Sequence, residues 1–272
     1  MAAFGDPLLL LLISFLVFLV SFTFANVGLG GGTLYVPILL LLFLDEDDIV
    51  VPISLMLAVA TAISSTWNHW KKGFVHLPIG RSLFGGALVG AILGTTFTLN
   101  VLTRFTFKVF FSALLFFLAC VMLYDWYRAR RVDQDDDTKL TRSRLAVASM
   151  ATAASGFVSG SAGIGGGVLN VPIIARGLGR RTRTAIGTSS FLIVPTAMFG
   201  FLIYLVRHAY GGRGVPSEFS IIPILFPLAL VGAFVGSRWG LNALRTHSVA
   251  LLFIGVVFLA DALVVLDVLG IV

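Results

Sequence analysis

The sequence predicts an all-α integral membrane protein made of two inverted-topology repeats. Three observations carry this prediction. Apolar blocks of membrane-spanning length fill the chain, a ten-residue glycine motif occurs twice, and the basic residues are distributed unevenly between the loops. Each repeat is predicted to be a Gly-broken helical hairpin plus three transmembrane helices.

The composition excludes an ordinary soluble domain. Hydrophobic residues make up 58% of the 272 positions and charged residues only 12%, whereas soluble domains are about one quarter charged. A helix of about 20 residues spans the hydrocarbon core of a bilayer. The net charge of +6 does not indicate nucleic-acid binding, because the basic residues cluster in loops beside apolar segments.

Ten apolar segments follow one another, and a polar linker divides them five and five. The first has no basic residue before it and is longer than a signal-peptide core, so we predict that it is retained. We expect a first transmembrane repeat at 1–126, a linker at 127–144 and a second repeat at 145–272. The segments are 7–27, 33–44, 49–70, 82–101, 105–125, 145–162, 168–178, 185–206, 219–240 and 249–271.

The two halves match in order. "GLGGGTLYVP" begins at Gly28 and "GIGGGVLNVP" at Gly163, 135 positions later, and Ser54 precedes Ser189 by the same interval. "ALVGAILG" recurs as "ALVGAFVG" after one short insertion. Ordered matches of this kind indicate an internal duplication, which is typical of secondary transporters.

The glycines predict a reversal of the chain. Helices over 7–27 and 33–44 would together be far longer than a bilayer is thick, at about 1.5 Å per residue. A chain that turns back at the glycines solves this. With the amino and carboxy termini outside and the linker cytoplasmic, 15 of the 19 Lys and Arg residues lie on the cytoplasmic side. A single broken spanning helix in place of each hairpin gives 11 against 8, so the positive-inside rule favours the hairpins and repeats of opposite orientation.

The glycine motifs predict an anion site. Non-helical backbone inside a bilayer is tolerated only where it is buried in protein or lines a cavity. A helix starts directly after each motif, and free N–H groups at a helix start attract anions without a buried Arg or Lys. The alternative is that these glycines only permit close helix packing.

The candidate substrate-binding residues are the motif glycines and the polar residues beside them or on the following helices. They are Asn26, Gly28, Gly30, Gly31, Gly32, Thr33, Ser54, Ser161, Gly163, Gly165, Gly166, Gly167, Asn170, Thr188, Ser189 and Ser190. A second glycine set has i, i+4 spacing, for which we predict helix packing. That set is Gly86, Gly90, Gly94, Gly232, Gly236 and Gly240.

Three single residues carry separate expectations. Asp261 falls inside the last apolar segment, where it either carries a coupling proton or is a neutral carboxyl held by a neighbouring Ser or backbone carbonyl. His69, between Trp67 and Trp70, is expected at the membrane–water interface, with a gating role as the alternative. Cys120 is the one cysteine, lies inside an apolar segment and is expected to have a packing role.

The doubled "GxGGGxxxVP", together with "GTSS" after the second copy, resembles the TauE/SafE family of sulfite exporters, also called the toluenesulfonate-uptake permease family. The resemblance covers essentially the whole chain. It implies transport of sulfur-containing anions such as sulfite, sulfoacetate or other organosulfonates across the cytoplasmic membrane, with export favoured. The first repeat departs from the pattern, with "VPISL" where the second has "IGTSS".

The functional hypothesis is a secondary transporter of a small sulfur-containing anion that works by alternating access. A passive anion channel is the alternative. The chain has no P-loop, "HExxH" or "GxSxG" motif, so we predict no ATP use, no enzyme activity, no cofactor and no metal. The expected partners are the small anion and the lipid bilayer.

Overall fold

The computed structural model describes residues 7–26, 28, 30–42, 47–127, 140–210, 215–243 and 246–268, and these residues form helices without any strand. The helices are α1 (Pro7–Phe24), α2 (Gly32–Leu42), α3 (Asp47–Lys71), α4 (Leu77–Val101), α5 (Arg104–Tyr127), α6 (Arg142–Ala162), α7 (Gly167–Pro172), α8 (Thr182–Tyr210), α9 (Ile222–Ala243) and α10 (Thr246–Val268). A π-helical turn (Ile173–Gly177) continues α7, and a 3-10 turn (Ser217–Ile221) leads into α9.

The helices confirm the predicted all-α membrane fold. Each of the ten apolar segments corresponds to one helix, with α7 and its π turn together forming the seventh. Seven helices, namely α1, α3, α4, α5, α6, α8 and α9 with its 3-10 turn, are long and apolar enough to cross a bilayer among the residues described. Most of the linker, 128–139, lies outside the described residues.

The start of α4 shows how local signals extend a helix beyond its apolar core. The helix begins at Leu77, five residues before the apolar segment predicted at 82. Pro78 stands in the first turn, where its missing N–H costs little. The side chain of His76 accepts a hydrogen bond from Ile79 N at 3.3 Å and so caps the helix.

Nearly every contact between two helices is matched by a contact between the helices at the corresponding places in the other half of the chain. Helix α4 packs on α6 and α1 packs on α9, while α3 packs on both α8 and α9 and α4 also packs on α8. Helix α2 contacts α3 and α10, and α7 contacts α8 and α5. When α1 to α5 are paired in order with α6 to α10, as the predicted duplication requires, each of these contacts has a counterpart.

Contacts along the helices fix their relative directions. Ser64 Oγ donates to Leu230 O and Asn68 Nδ2 to Phe234 O, so α3 and α9 run in the same direction. A side chain on Gly232 would meet Phe18 and Ser21, and one on Gly236 would meet Phe22, so α1 runs the same way. Because α1 and α3 are parallel, the chain reverses between them through α2, as predicted from the glycines.

Helices α3 and α8, which are equivalent in the proposed duplication, run in opposite directions. The Oγ atoms of Ser65 and Ser190 lie 2.9 Å apart, whereas a Cβ on Gly200 would lie 3.0 Å from Leu55 Cδ1. The later part of one helix therefore meets the earlier part of the other. An inverted repeat requires this arrangement; the repeat itself stays a prediction that these directions support.

The second glycine set packs helices closely, as predicted. A Cβ on Gly86, Gly90 or Gly94 of α4 would overlap backbone carbonyls of α6. A Cβ on Gly236 of α9 would overlap the carbonyl of Phe22 on α1, and one on Gly232 would overlap the side chain of Ser21. The surroundings of Gly240 lie outside the described residues. Small residues let the backbones approach where lipid offers no hydrophobic drive for association.

The expectation for Cys120 is wrong, and the interfacial position of His69 stays a prediction. Cys120 is exposed on α5 and is not packed between helices. His69 is 1% exposed, although Trp67 and Trp70 beside it are each more than half exposed. Trp67 and Trp70 are three positions apart and share the outward face of α3, whereas the His69 imidazole lies on another face and turns into the bundle.

Candidate functional site

The two glycine motifs fold into the same loop. Gly28, Gly30 and Gly31 have φ values of 73°, 75° and 81°. Their counterparts Gly163, Gly165 and Gly166 have 70°, 84° and 71°. Residues with a side chain rarely adopt this left-handed region, which explains why glycine stands at all six positions. The helical runs that follow, 32–42 and 167–177 with the π turn included, have the same length.

The two loops touch each other at the centre of the bundle. A Cβ on Gly32 would overlap the carbonyl oxygen of Gly163, and one on Gly165 would lie 3.8 Å from Gly30 Cα. Gly30 and Gly165 both face Ala58 of α3 and Ile193 of α8, which are themselves 135 positions apart. Two motifs that are distant in sequence thus form one structural unit.

One serine ties each loop to the other half of the chain. Ser54 Oγ, on α3, donates to the carbonyl of Gly163 at 2.8 Å. Ser189 Oγ, on α8, donates to the carbonyl of Gly28 at 3.1 Å. All four residues are buried. Ser54 and Ser189 therefore bond to equivalent glycines of opposite loops, although the residues around Ser54 depart from the pattern. In this structure both hydroxyl protons are donated to the protein backbone.

The two loops differ in the side chains that cover them. The ring of Tyr35 covers Gly31, and its hydroxyl lies 2.8 Å from Thr61 Oγ1. The position equivalent to Tyr35 is Asn170, 135 residues later. Two serines of α6, Ser155 and Ser159, surround Gly166. Sequence reasoning missed both serines and the tyrosine, although the repeat register pairs Tyr35 with a predicted site residue.

Buried oxygens without a hydrogen-bond partner flank both loops. Beside the first loop they are Asn26 Oδ1 and Thr33 Oγ1, and beside the second they are Ser159 Oγ and Asn170 Oδ1. Leaving such an atom unpaired costs about 1–3 kcal/mol, so each one in a native structure calls for an explanation such as a ligand or water. Three of these four residues were predicted from the sequence.

Several predicted residues bond elsewhere in the protein. The Thr188 hydroxyl accepts from His76 N at 3.0 Å and joins α8 to the turn before α4. Ser161 Oγ donates to Val158 O at 3.4 Å within α6. The Nδ2 group of Asn26 donates to Phe22 O at 3.1 Å, which leaves its Oδ1 atom unpaired.

A polar cluster that the sequence did not reveal joins the first loop to α3 and α8. Ser65 Oγ donates to Ala25 O at 2.9 Å and lies next to Ser190 Oγ. His69 Nδ1 lies 2.8 Å from Ser65 O. Ser190, a predicted site residue, donates to Ile186 O in its own helix at 3.0 Å. The cluster holds the end of α1 against both long central helices.

Asp261 belongs to a different contact. Its Oδ1 atom accepts a hydrogen bond from Ser112 Oγ of α5 at 2.7 Å, and the residue is 6% exposed. A serine therefore lies beside the carboxyl, as the interpretation of Asp261 as a neutral, hydrogen-bonded carboxyl requires. This contact lies between α5 and α10.

The loops are closed to solvent in this structure. Every candidate substrate-binding residue is buried except Asn26, which is half-buried. A solute reaches the loops only after the helices around them separate. The arrangement is thus a sealed contact between two backbone loops, with unpaired polar atoms at its edges.

The comparisons with known proteins agree with this architecture. The family model described as sulfite exporter TauE/SafE matches residues 13–262. The chain is 25% identical to the probable membrane transporter protein YdhB of Bacillus subtilis, over 84% of this chain and 89% of that protein. It is 29% identical to the probable membrane transporter protein YunE of the same organism, over 79% and 81%.

An archaeal relative extends the similarity. The probable membrane transporter protein MJ0441 of Methanocaldococcus jannaschii is 25% identical over 83% of this chain and 80% of its own length. No solved structure matches the chain significantly. The matched family model covers nearly all of the helices, including both glycine loops and Asp261. The chain therefore belongs to the TauE/SafE family and is a multi-pass membrane transporter.

Proposed function

We propose that this transporter moves small sulfur-containing anions, such as sulfite, sulfoacetate or other organosulfonates, across the cytoplasmic membrane. The observation that carries the proposal is the pair of touching glycine loops with unpaired buried oxygens on both. The hydroxyls of Thr33 and Ser159 are free to donate to an oxyanion. Backbone N–H groups at the starts of α2 and α7 add hydrogen-bond donors that carry no formal charge.

The two asparagine oxygens refine the kind of solute. Asn26 Oδ1 and Asn170 Oδ1 are acceptors, so each needs a donor from water or from an O–H group of the substrate. A partly protonated oxyanion supplies such a donor from its own O–H group, whereas a halide has none. The mixture of donors and acceptors thus favours an oxyanion over a halide as the transported solute.

Alternating access is the proposed mechanism. The opposite directions of α3 and α8, and the exchange of helix contacts between halves, support two inverted repeats. Ser54 and Ser189 each hold the loop of the opposite half. Opening towards one side would loosen one of these bonds and keep the other, so the two serines would act as alternate latches.

Orientation and direction follow from charge and family. The distribution of Lys and Arg favours external termini and a cytoplasmic linker. Export is proposed on the family description alone, because the geometry is equivalent for both directions.

Proton coupling through Asp261 is a separate hypothesis. Asp261→Asn removes the titrating group and keeps an acceptor for Ser112. We expect anion binding to survive and the stimulation of transport by a pH gradient to disappear. Ser112→Ala is the matched control, which removes the hydrogen bond but keeps the carboxyl. Unchanged gradient-driven flux in the Asp261→Asn variant would refute this coupling.

Counterflow in proteoliposomes tests the transport proposal. Vesicles preloaded with unlabelled sulfite should accumulate radiolabelled sulfite transiently and with saturation, because a carrier exchanges one bound solute for another. Flux that tracks the membrane potential and never saturates would identify a passive anion channel instead. Absence of sulfite, sulfoacetate and sulfonate flux above that of empty vesicles would refute the substrate class.

A further inference from the structure

An apolar groove opens on the lipid-facing side of the bundle. Helix α3 forms its floor, and α4, α8 and α9 form its walls, enclosing a volume of about 650 Å³. Among its lining side chains are Trp67, Trp70, Phe84, Phe191, Pro195 and Phe234. We call it the lateral groove. Its volume falls in the range of sites that hold small organic ligands.

The lateral groove lies close to one membrane surface. Trp70 is one residue from the end of α3, and Phe84 lies seven residues after the start of α4, which is about 10 Å along the helix. Exposed tryptophans are typical of the membrane–water boundary. The groove therefore occupies the depth of one leaflet, with one end at the level of the lipid headgroups.

Three exposed cations stand one helical turn beyond the lining residues at that end. Lys71 follows Trp67 by four positions, and its Nζ lies 4.8 Å from the centroid of the Trp67 ring. Arg81 precedes Phe84 by three positions on α4, and Arg238 follows Phe234 by four on α9. Residues three or four apart share one helix face. Helix α9 runs parallel to α3. Helix α4 runs parallel to α8 and so antiparallel to α3, because Gly80 faces Phe191 and Gly200 faces Thr95. All three cations therefore lie at the same end of the groove.

No acidic residue of the four helices opposes these cations. Helices α4, α8 and α9 contain no Asp or Glu, and α3 has only Asp47 and Asp48 at its opposite end. The headgroup end of the groove is thus positive while its walls are apolar. A molecule that matches it has a hydrocarbon chain joined to a compact negative group.

We propose that the lateral groove binds an anionic phospholipid, with one acyl chain against Trp67, Phe84 and Phe234 and its phosphate beside Lys71, Arg81 and Arg238. Each cation near an anionic lipid surface strengthens the association about fivefold. A zwitterionic lipid has the same chains but carries a positive group beside its phosphate, so it gains much less. The site would select the lipid by its headgroup charge.

Tryptophan quenching by brominated lipids tests the proposal on the full-length protein. Replacing Trp126 and Trp239 with phenylalanine leaves Trp67 and Trp70 as the only tryptophans. This reporter protein is reconstituted with phosphatidylglycerol or phosphatidylcholine that carries bromine on one acyl chain. We expect phosphatidylglycerol to quench with at least about fivefold higher relative affinity, and the preference to shrink in 1 M salt, where the Debye length is about 3 Å.

Charge variants locate the effect. The triple variant Lys71→Gln, Arg81→Gln, Arg238→Gln should show no lipid preference. The matched control Arg104→Gln, Arg142→Gln, Arg207→Gln removes the same charge elsewhere and should keep it. If the triple variant does not reconstitute, the three single variants should each lower the preference severalfold. Equal quenching by both lipids in the reporter protein, or a preference that survives the groove substitutions, would overturn the proposal.

Discussion

The first and second glycine loops share a backbone and differ in their side-chain surroundings. The three left-handed glycines of each loop have φ values within about 10° of their counterparts. The ring of Tyr35 covers Gly31, whereas the Ser155 hydroxyl and the Cβ atom of Ser159 lie against Gly166. Asn170 stands at the position equivalent to Tyr35. The loops thus keep their conformation while the residues that face them change from aromatic to polar.

This difference separates two roles within a loop that occurs twice in the chain. The backbone conformation and the Ser54 and Ser189 bonds are common to both loops, so they serve the closed contact between the halves. The polar side chains are particular to each loop, so under the proposed function they would be the groups that meet the solute. Substitutions at shared positions should therefore damage both loops alike, and substitutions at particular positions should not.

The largest expected effect comes from a substitution that forces the two loops apart. Gly32→Ala places a methyl group on the carbonyl of Gly163, which is backbone and cannot turn away. We expect sulfite transport in proteoliposomes to fall to the level of empty vesicles. Gly85→Ala on α4 is the control, since a Cβ there meets nothing within 4 Å. Normal transport by Gly32→Ala would mean that the loops do not touch during the cycle.

A smaller effect is expected from the unpaired hydroxyls. Thr33→Val and Ser159→Ala each remove one donor beside a loop, and a hydrogen bond to a charged group is worth about 1.5–3 kcal/mol. Sulfite affinity, measured by titration, should fall about tenfold or more in each variant. The Thr96→Val control loses a hydroxyl that bonds within its own helix and should bind normally. A loss in only one variant would assign the solute to that loop alone.

Substitution of Ser54 and of Ser189 should lower the stability of the protein by equal amounts. Ser54→Ala and Ser189→Ala each leave a buried glycine carbonyl unpaired, at a cost of about 1–3 kcal/mol. The midpoint of thermal unfolding should fall by similar amounts in both, and Ser82→Ala, an exposed serine bonded within its own helix, should leave it unchanged. A clearly unequal fall would show that the two halves are not equivalent in the closed state.

The smallest effect is expected at the aromatic cover of the first loop. Tyr35→Phe removes the bond to Thr61 and keeps the ring over Gly31. The free energy of unfolding should fall by about 0.5–1.5 kcal/mol. Sulfite affinity should stay the same, and a tenfold loss would place the tyrosine hydroxyl in contact with the solute.

Much of the fold was accessible from the sequence because bilayer thickness limits the length of each apolar segment. Ten apolar segments predicted ten helices, and the glycines at 90, 94, 232 and 236 predicted close helix packing. The interval of 135 positions also paired Ser54 with Ser189 before their bonds were known. These features occur in both halves of the sequence, so each copy supported the interpretation of the other.

The rest depends on how helices meet, which a single sequence does not contain. Pattern alone did not reveal that Ser65 and Ser190 approach each other, or that His69 turns inward between two exposed tryptophans. It also did not reveal that the Ser54 and Ser189 hydroxyls bond to carbonyls in the closed state. Side-chain direction at a helix interface is set by the neighbouring helix, so periodicity identifies the polar residues without identifying their partners.

Titration of the purified protein with sulfite by calorimetry tests the central claim most directly. The claim is that both glycine loops together bind the anion through their backbone. The unmodified protein and Gly85→Leu should bind sulfite with saturation, and Gly31→Leu and Gly166→Leu should each lose binding while remaining inserted and monodisperse. If either loop variant binds sulfite as tightly as the unmodified protein, that loop does not form part of the site and the account is contradicted.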